Sequence, residues 1–197
     1  MTKISCYGCL ISALIFCGAC VTNTQTATKI SADAVEKTGT VPVSDKPVSN
    51  EPEIIAVTFG RGTARGNGIT MTFMLNVDRY KDGSAGGVFV QSAITEAGTL
   101  DLEVDVTCAS LDSAQGKGWI GGKVKRNDSS SPAYAGKPGA DAWIRVYDLI
   151  LEKRTALISL PMFGDTKIKT AEMFCQKKPW SEVNLLQLDQ GALAIFP

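Results

Sequence analysis

Four of the six cysteines form two pairs at a spacing that suits a metal site, C-x-x-C at Cys6–Cys9 and at Cys17–Cys20. Thiolates in this arrangement bind zinc or an iron–sulfur cluster when they lie in polar turns, where the metal offsets their charge. Here they lie within Ile4–Val21, an almost uncharged run of apolar and small residues that follows Lys3. The surroundings therefore favour an export or membrane segment over a metal centre.

A positive start, an apolar run and a small-residue exit are the features of a bacterial secretory signal. Gly18 and Ala19 directly precede Cys20, an order that resembles the lipobox of bacterial lipoproteins. The resemblance implies a signal peptide over residues 1–19 and lipidation of Cys20. In enteric bacteria, Val21 instead of Asp after that cysteine would imply the outer membrane. The alternatives are an uncleaved anchor, which 18 residues barely provide, and the metal site.

The segment that follows the signal lacks the composition of a folded domain. Residues 22–53 are rich in Thr, Ser, Pro, Lys and Glu and contain no aromatic residue. Such a segment buries too little apolar surface to offset its ordering entropy. We therefore predict a lipidated cysteine and disordered tether over residues 20–53, followed by a folded domain over residues 54–197.

Charge and composition exclude several classes of function. Twenty Lys+Arg balance 20 Asp+Glu, so no overall field attracts nucleic acid. The chain contains no histidine, which removes Ser-His-Asp and Cys-His catalysis and His-ligated zinc. We therefore predict a protein that is not an enzyme and that binds no cofactor, and we assign no catalytic residue.

Apolar and polar residues alternate with period two along much of the domain. The pattern is clearest in Ile69–Val77 and Leu100–Cys108, and it recurs in Trp119–Lys125 and Ala142–Asp148. The glycines of Gly60–Gly68 suggest a hairpin connection ahead of the second strand.

The C-terminal part is less regular than the rest of the domain. Thr155–Leu160 and Ala192–Phe196 are predicted strands, whereas Thr170–Gln176 suits either a short helix or a strand. At least seven short strands with little helix predict an all-β domain, a single antiparallel β-sandwich or small barrel.

Two of the predicted strands carry complementary charges. If they pair antiparallel, Glu103 faces Lys123 and Asp101 faces Lys125, and such pairs stabilise a sheet. Asp101, Glu103 and Asp105 also suggest a calcium site. However, successive residues on one strand face lie about 7 Å apart, and calcium needs converging oxygens. We therefore predict a solvated face paired to lysines.

Cys108 and Cys175 are the cysteines that remain after signal removal and lipidation. Two thiols in an exported chain predict one disulfide, and the alternative is a pair of buried free thiols.

Several short motifs stand in a fixed order, namely Asp82–Ser84, Asp105–Cys108 (DVTC), Trp119–Gly122 (WIGG) and Phe174–Cys175. Over roughly Phe59–Cys175 the chain resembles a widespread set of small exported bacterial β-proteins of unknown function. The resemblance implies a signal or lipoprotein anchor followed by one β-domain, with the two cysteines at corresponding places. It implies no activity.

Trp119, Trp143 and Tyr147 are the candidate ligand or partner contacts, although aromatic residues at alternating strand positions are more often core. We expect a bacterial outer-membrane lipoprotein, lipid-anchored at the periplasmic face or cell surface. Its β-domain would have a binding or structural role with an envelope protein, glycan or lipid. The alternative is a carrier of an apolar small molecule or lipid in a barrel interior, and a carboxylate-dependent hydrolase ranks last.

Overall fold

Buried and exposed side chains alternate along the strands, as the sequence pattern predicts. Strand β2 shows the alternation most clearly, because Met71, Phe73, Leu75 and Val77 are buried while the residues between them are exposed. The computed structural model describes residues 51–149 and 154–197. The predicted signal peptide, the predicted lipidation site and nearly all of the predicted tether lie outside the described residues.

Strands make up most of the described chain. Their bounds are β1 Ile54–Gly66, β2 Ile69–Tyr80, β3 Ala85–Thr95, β4 Gly98–Asp112, β5 Lys117–Asn127, β6 Asp141–Tyr147, β7 Leu157–Ser159, β8 Met162–Phe163 and β9 Leu185–Phe196. A short α-helix, α1, spans Ala171–Lys177, and a 3-10 turn spans Pro132–Tyr134. Among the described residues, none of the helices has the length and apolar character that a membrane crossing requires.

The strands form one antiparallel sheet that closes into a ring. Each of β1 to β6 pairs with the next strand along the chain. The ring continues from β6 through β7 to β9, and β9 pairs with β1. Strand β8 pairs with the other half of β6. The predicted all-β class is therefore confirmed, and the sheet forms a small barrel.

Side chains fill the interior of this barrel. The large residues that are almost fully enclosed include Met71, Phe89, Leu102, Ile120, Ile144 and Leu186. Polar residues are also enclosed, among them Thr58 and Gln91. The Thr58 hydroxyl donates to Ala194 O, and the Gln91 amide donates to Ser159 O. In the described part of the chain, the barrel interior is therefore a packed core, as expected for a ring of this size.

The predicted hairpin connection between the first two strands is present. It is shorter than Gly60–Gly68, because β1 continues to Gly66 and the turn contains only Asn67 and Gly68. Both turn residues have positive φ, 51° and 74°, as a two-residue hairpin turn of type I′ requires. The earlier glycines serve another purpose. A Cβ on Gly62 would lie 1.9 Å from Gln190 O, so this glycine lets β9 approach β1 closely.

The predicted pairing between β4 and β5 is wrong by two to three residues. Lys123 faces Asp105 rather than Glu103, and Glu103 faces Arg126. The register is set at the turn, because Asp112 pairs with Lys117 and four residues connect the two strands. Two irregularities in the ladder, between Glu103 and Val104 and between Val106 and Cys108, then shift the pairing by one residue each in opposite directions. The alternation of apolar and polar residues does not reveal them.

Opposite charges nevertheless meet on this face. Lys125 Nζ lies 2.7 Å from a Glu103 carboxylate oxygen, and Arg126 lies 3.1 Å from Asp101. Lys123 Nζ lies 2.8 Å from Asp141 on β6. The acidic face of β4 is therefore paired to cations, although not in the predicted register.

Candidate ligand-binding cleft

The three predicted aromatic residues lie on the outer face of β5 and β6 rather than inside the barrel. On β6, Ala142, Ile144 and Val146 belong to the core, so Trp143 and Tyr147 point outward. Trp119 on β5 also points outward, and it pairs with Arg145 across the ladder. Trp119 and Trp143 are nonetheless buried, because other parts of the chain cover this face.

Helix α1 covers part of this outer face and is held to the sheet by a disulfide between Cys108 and Cys175. The predicted disulfide is thus present. A side-chain hydrogen bond of 3.1 Å also joins Thr107 to Glu172. An added Cβ on Gly121 would lie 2.9 Å from the Ala171 Cβ, so the glycine makes room for the helix. The DVTC and WIGG motifs therefore contribute residues that seat α1.

A cleft of about 920 Å³ opens beside the helix, between the outer face of β6, β8, α1 and the segment 179–181. Its apolar walls include Trp143, Met162, Phe163, Phe174 and Trp180. Trp143 and Phe174 stack with their ring centroids 5.4 Å apart, which fixes one wall. The volume falls within the range of small-molecule sites.

Trp180 is held in place by the other two predicted aromatic residues. Its ring lies edge-to-face with Trp119 at 5.5 Å and with Tyr147 at 5.4 Å between centroids. The Trp119 indole N–H donates to Pro179 O at 3.0 Å. Lys117 Nζ lies 5.0 Å from the centroid of the Trp180 ring, within cation–π range. Of the three predicted contacts, only Trp143 lines the cleft, whereas Trp119 and Tyr147 position Trp180.

Arg145 contributes a buried cation to the cleft. Its side chain donates to the backbone carbonyls of Ser181 and Val183, the latter at 2.9 Å, and contacts Met162 Sδ at 3.7 Å. The residue is only 5% exposed, and its Nε has no hydrogen-bond partner. None of the described carboxylates forms an ion pair with it. Burial lowers the pKa of Arg145 from its ordinary value, because the charged form loses hydration.

Three more ionisable residues line the cleft, namely Asp165, Lys167 and Lys177. The Asp165 carboxylate accepts hydrogen bonds from the backbone N–H groups of Lys167 and Ile168, at 2.6 and 2.7 Å. These bonds lower the pKa of Asp165. The carboxylate of Asp165 is thus already hydrogen-bonded within its own turn. The described lining contains more cationic than anionic side chains.

Sequence reasoning missed Arg145 and Trp180, the two residues that give the cleft its chemistry. A signal for Arg145 was present, since it lies between Trp143 and Tyr147 on one face of a predicted strand. Nothing in the local sequence brings Trp180 back onto that face. No group of three or more potential ligands that could hold a metal ion occurs among the described residues.

No family model matches this chain, and neither a curated protein nor a solved structure is significantly similar to it.

Proposed function

We propose that the chain is a bacterial outer-membrane lipoprotein, anchored through Cys20, whose β-domain has a binding rather than a catalytic role. The observation that carries the binding role is the solvent-accessible cleft with aromatic walls on the outer face of β6. A site on the outside of the barrel is reached without opening the sheet.

The packed interior gives no support to the alternative, a carrier that holds its ligand inside the barrel. The described core includes Phe89, Leu102 and Ile120, which are enclosed on all sides. A ligand of any size would have to displace several such side chains, and each one released into water costs about 1.5–3 kcal/mol. The outer cleft requires no such displacement.

Export and anchoring are proposed from the N-terminal sequence and from the cysteines. The order Lys3, apolar run, Gly18-Ala19-Cys20 supports a lipoprotein signal. The disulfide supports an oxidising compartment, because such bonds persist outside the cytosol. The resemblance to small exported β-proteins supports the same localisation outside the cytosol.

The anchoring part is tested by Cys20→Ser in the full chain, with Cys17→Ser as the matched control. We expect Cys20→Ser to abolish fatty acylation and membrane fractionation, and Cys17→Ser to leave both unchanged. The readouts are mass spectrometry of the N-terminal peptide and fractionation of the envelope. An intact N-terminus in the cytosol would overturn the proposal.

The binding part is tested by identifying what co-purifies with the protein from its own envelope. Trp180→Ala opens the cleft wall, and Phe59→Ala removes an exposed aromatic ring elsewhere on the barrel. We expect a small molecule to be recovered with the wild type and Phe59→Ala, and to be depleted with Trp180→Ala. Equal recovery from all three would overturn the assignment of the cleft.

A further inference from the structure

We infer that the cleft binds a small amphipathic monoanion, an apolar body that carries one carboxylate, with the carboxylate paired to Arg145. This inference rests on the proposed binding role and adds the chemical class of the ligand.

The first support is the buried guanidinium. A charge that is 95% buried is costly unless an opposite charge or several hydrogen bonds compensate it. Two backbone carbonyls take two of the N–H donors of Arg145, and Nε remains without a partner. A planar guanidinium binds a carboxylate through two parallel hydrogen bonds, often with Nε as one donor. The guanidinium is therefore only partly compensated by its described neighbours, and a carboxylate in the cleft would supply the missing opposite charge.

The second support is the chemistry of the walls. The cleft lining presents the rings of Trp143, Phe174 and Trp180 and the thioether of Met162. Such surfaces bind an apolar body and would leave a highly polar ligand without partners. At about 920 Å³ the cleft lies within the range of sites for small molecules.

The third support is the charge balance of the lining. Among the described lining residues, Lys167 and Lys177 add to Arg145, whereas Asp165 is the one acidic residue, and its carboxylate accepts hydrogen bonds from two backbone N–H groups. The field in the cleft therefore favours an anion over a neutral or cationic ligand of the same shape.

The test compares phenylbutyrate with its neutral isostere phenylbutanamide, and adds octanoate as an aliphatic acid. The full chain is used in a nonionic detergent, and binding is followed by calorimetry and by the fluorescence of the tryptophans in the cleft. We expect the aryl acid to bind about tenfold more tightly than the amide, as a hydrogen-bonded charge requires. Whether octanoate binds as well distinguishes fatty acids from aryl acids as the natural class.

Arg145→Met should remove the preference for the acid, and Arg61→Met, on the exposed face of β1, should leave it unchanged. If Arg145→Met fails to fold, the pH dependence of binding by the wild type supplies the test. In the wild type, affinity for the acid should fall toward that of the amide as the pH drops below the pKa of the ligand.

Equal affinity for acid and amide would overturn the anionic class while leaving the binding role intact. Absence of binding by all three compounds would overturn the inference as a whole, and the co-purification experiment then decides the proposed function separately. An acid preference that survives in folded Arg145→Met would overturn the role of that residue.

Discussion

At the scale of single residues, the absence of a side chain at Gly121 determines how α1 meets the sheet. A Cβ at this position would lie 2.9 Å from the Ala171 Cβ and 3.2 Å from Cys108 Sγ. Contacts this short force the helix away from β5. Because Phe174 on the helix forms a wall of the cleft, the geometry of the cleft depends on this glycine.

Gly121→Ala should therefore reduce the free energy of unfolding by about 1–3 kcal/mol, the usual cost of overpacking. Gly86→Ala on β3 is the matched control, because its added Cβ would meet Tyr80 at an ordinary 3.4 Å. The control should change stability by less than about 1 kcal/mol. Denaturant unfolding of both variants measures the difference, and equal stabilities would contradict the close contact.

Asp165 gives the turn beside the cleft a dependence on pH. Its folded-state pKa lies below the ordinary value of 3.8, because the ionised carboxylate accepts hydrogen bonds from the Ile168 and Lys167 N–H groups. A group with a lowered pKa stabilises the fold above its unfolded pKa and loses that contribution as the pH falls through its folded pKa.

We therefore expect the amide NMR signals of Lys167 and Ile168 to be constant above about pH 4 and to move upfield in acid below it. In Asp165→Asn, which cannot ionise, this acid-dependent shift should be absent. A shift that persists in Asp165→Asn would assign it to another group.

The strand pattern in the sequence shows which candidate aromatic residues share a face, but it does not show that this face is the outer one. Alternation places Trp143 and Tyr147 on the same strand face, and the structure confirms this. It does not predict that Arg145 between them is buried, since the burial comes from residues 181–183, about 36 positions away along the chain. Contacts over such separations leave no local periodic signal.

At the scale of elements, α1 depends on its attachments for stability. A helix of seven residues is too short to be stable by itself in water. The Thr170 side chain caps its first turn by accepting from Met173 N, and Asp141 accepts from Ala171 N at 3.0 Å. The disulfide through Cys175 fixes the middle of the helix to β4. Together these contacts hold one side of the cleft.

Replacing both bridged cysteines, as Cys108→Ala/Cys175→Ala, should lower the free energy of unfolding by about 2–5 kcal/mol. The bridge joins positions 67 residues apart, and long loops gain the most from closure. Hydrogen exchange should speed up in α1 more than in β2, which the bridge does not touch. Unchanged protection of α1 would show that the other contacts suffice to hold it.

Element type was predictable here, and register was not. The alternation in Leu100–Cys108 correctly gives a strand with one buried face. The pairing with β5 is shifted because the turn pairs Asp112 with Lys117, while Thr107 on β4 and Lys125 on β5 are extra residues whose effects on the register cancel. Each bulge moves the partner by one position without disturbing the alternation enough to be noticed in the sequence.

At the scale of the whole molecule, closure of the ring depends on the contact between the first and last strands of the barrel. Gly62 on β1 pairs with Gly191 on β9. A Cβ on Gly191 would lie 2.0 Å from Arg61 O, and the φ of 101° at Gly191 is one that other residues rarely adopt. The two backbones meet here without side chains between them.

Gly191→Ala should therefore destabilise the barrel by more than Gly139→Ala, although both glycines have positive φ. Apart from its own chain neighbours, none of the described residues places an atom within 4 Å of the Cβ position at Gly139. That variant therefore measures backbone strain alone, about 1–2 kcal/mol. The steric clash at Gly191 should add about 1–3 kcal/mol. Thermal and denaturant unfolding measure both, and equal losses would contradict the close approach of β1 and β9.

The antiparallel pairing of β1 with β9 brings Val57 opposite Phe196, so the chain comes into the ring and leaves it at the same rim. The opposite rim carries the Asn67–Gly68 turn and the loop 128–140, from which Ala133 reaches the cleft. The segment before β1 and an affinity tag added after β9 would therefore both be attached at this rim. The protein could be immobilised through either of them while the rim that carries the loop 128–140 remains accessible to ligands.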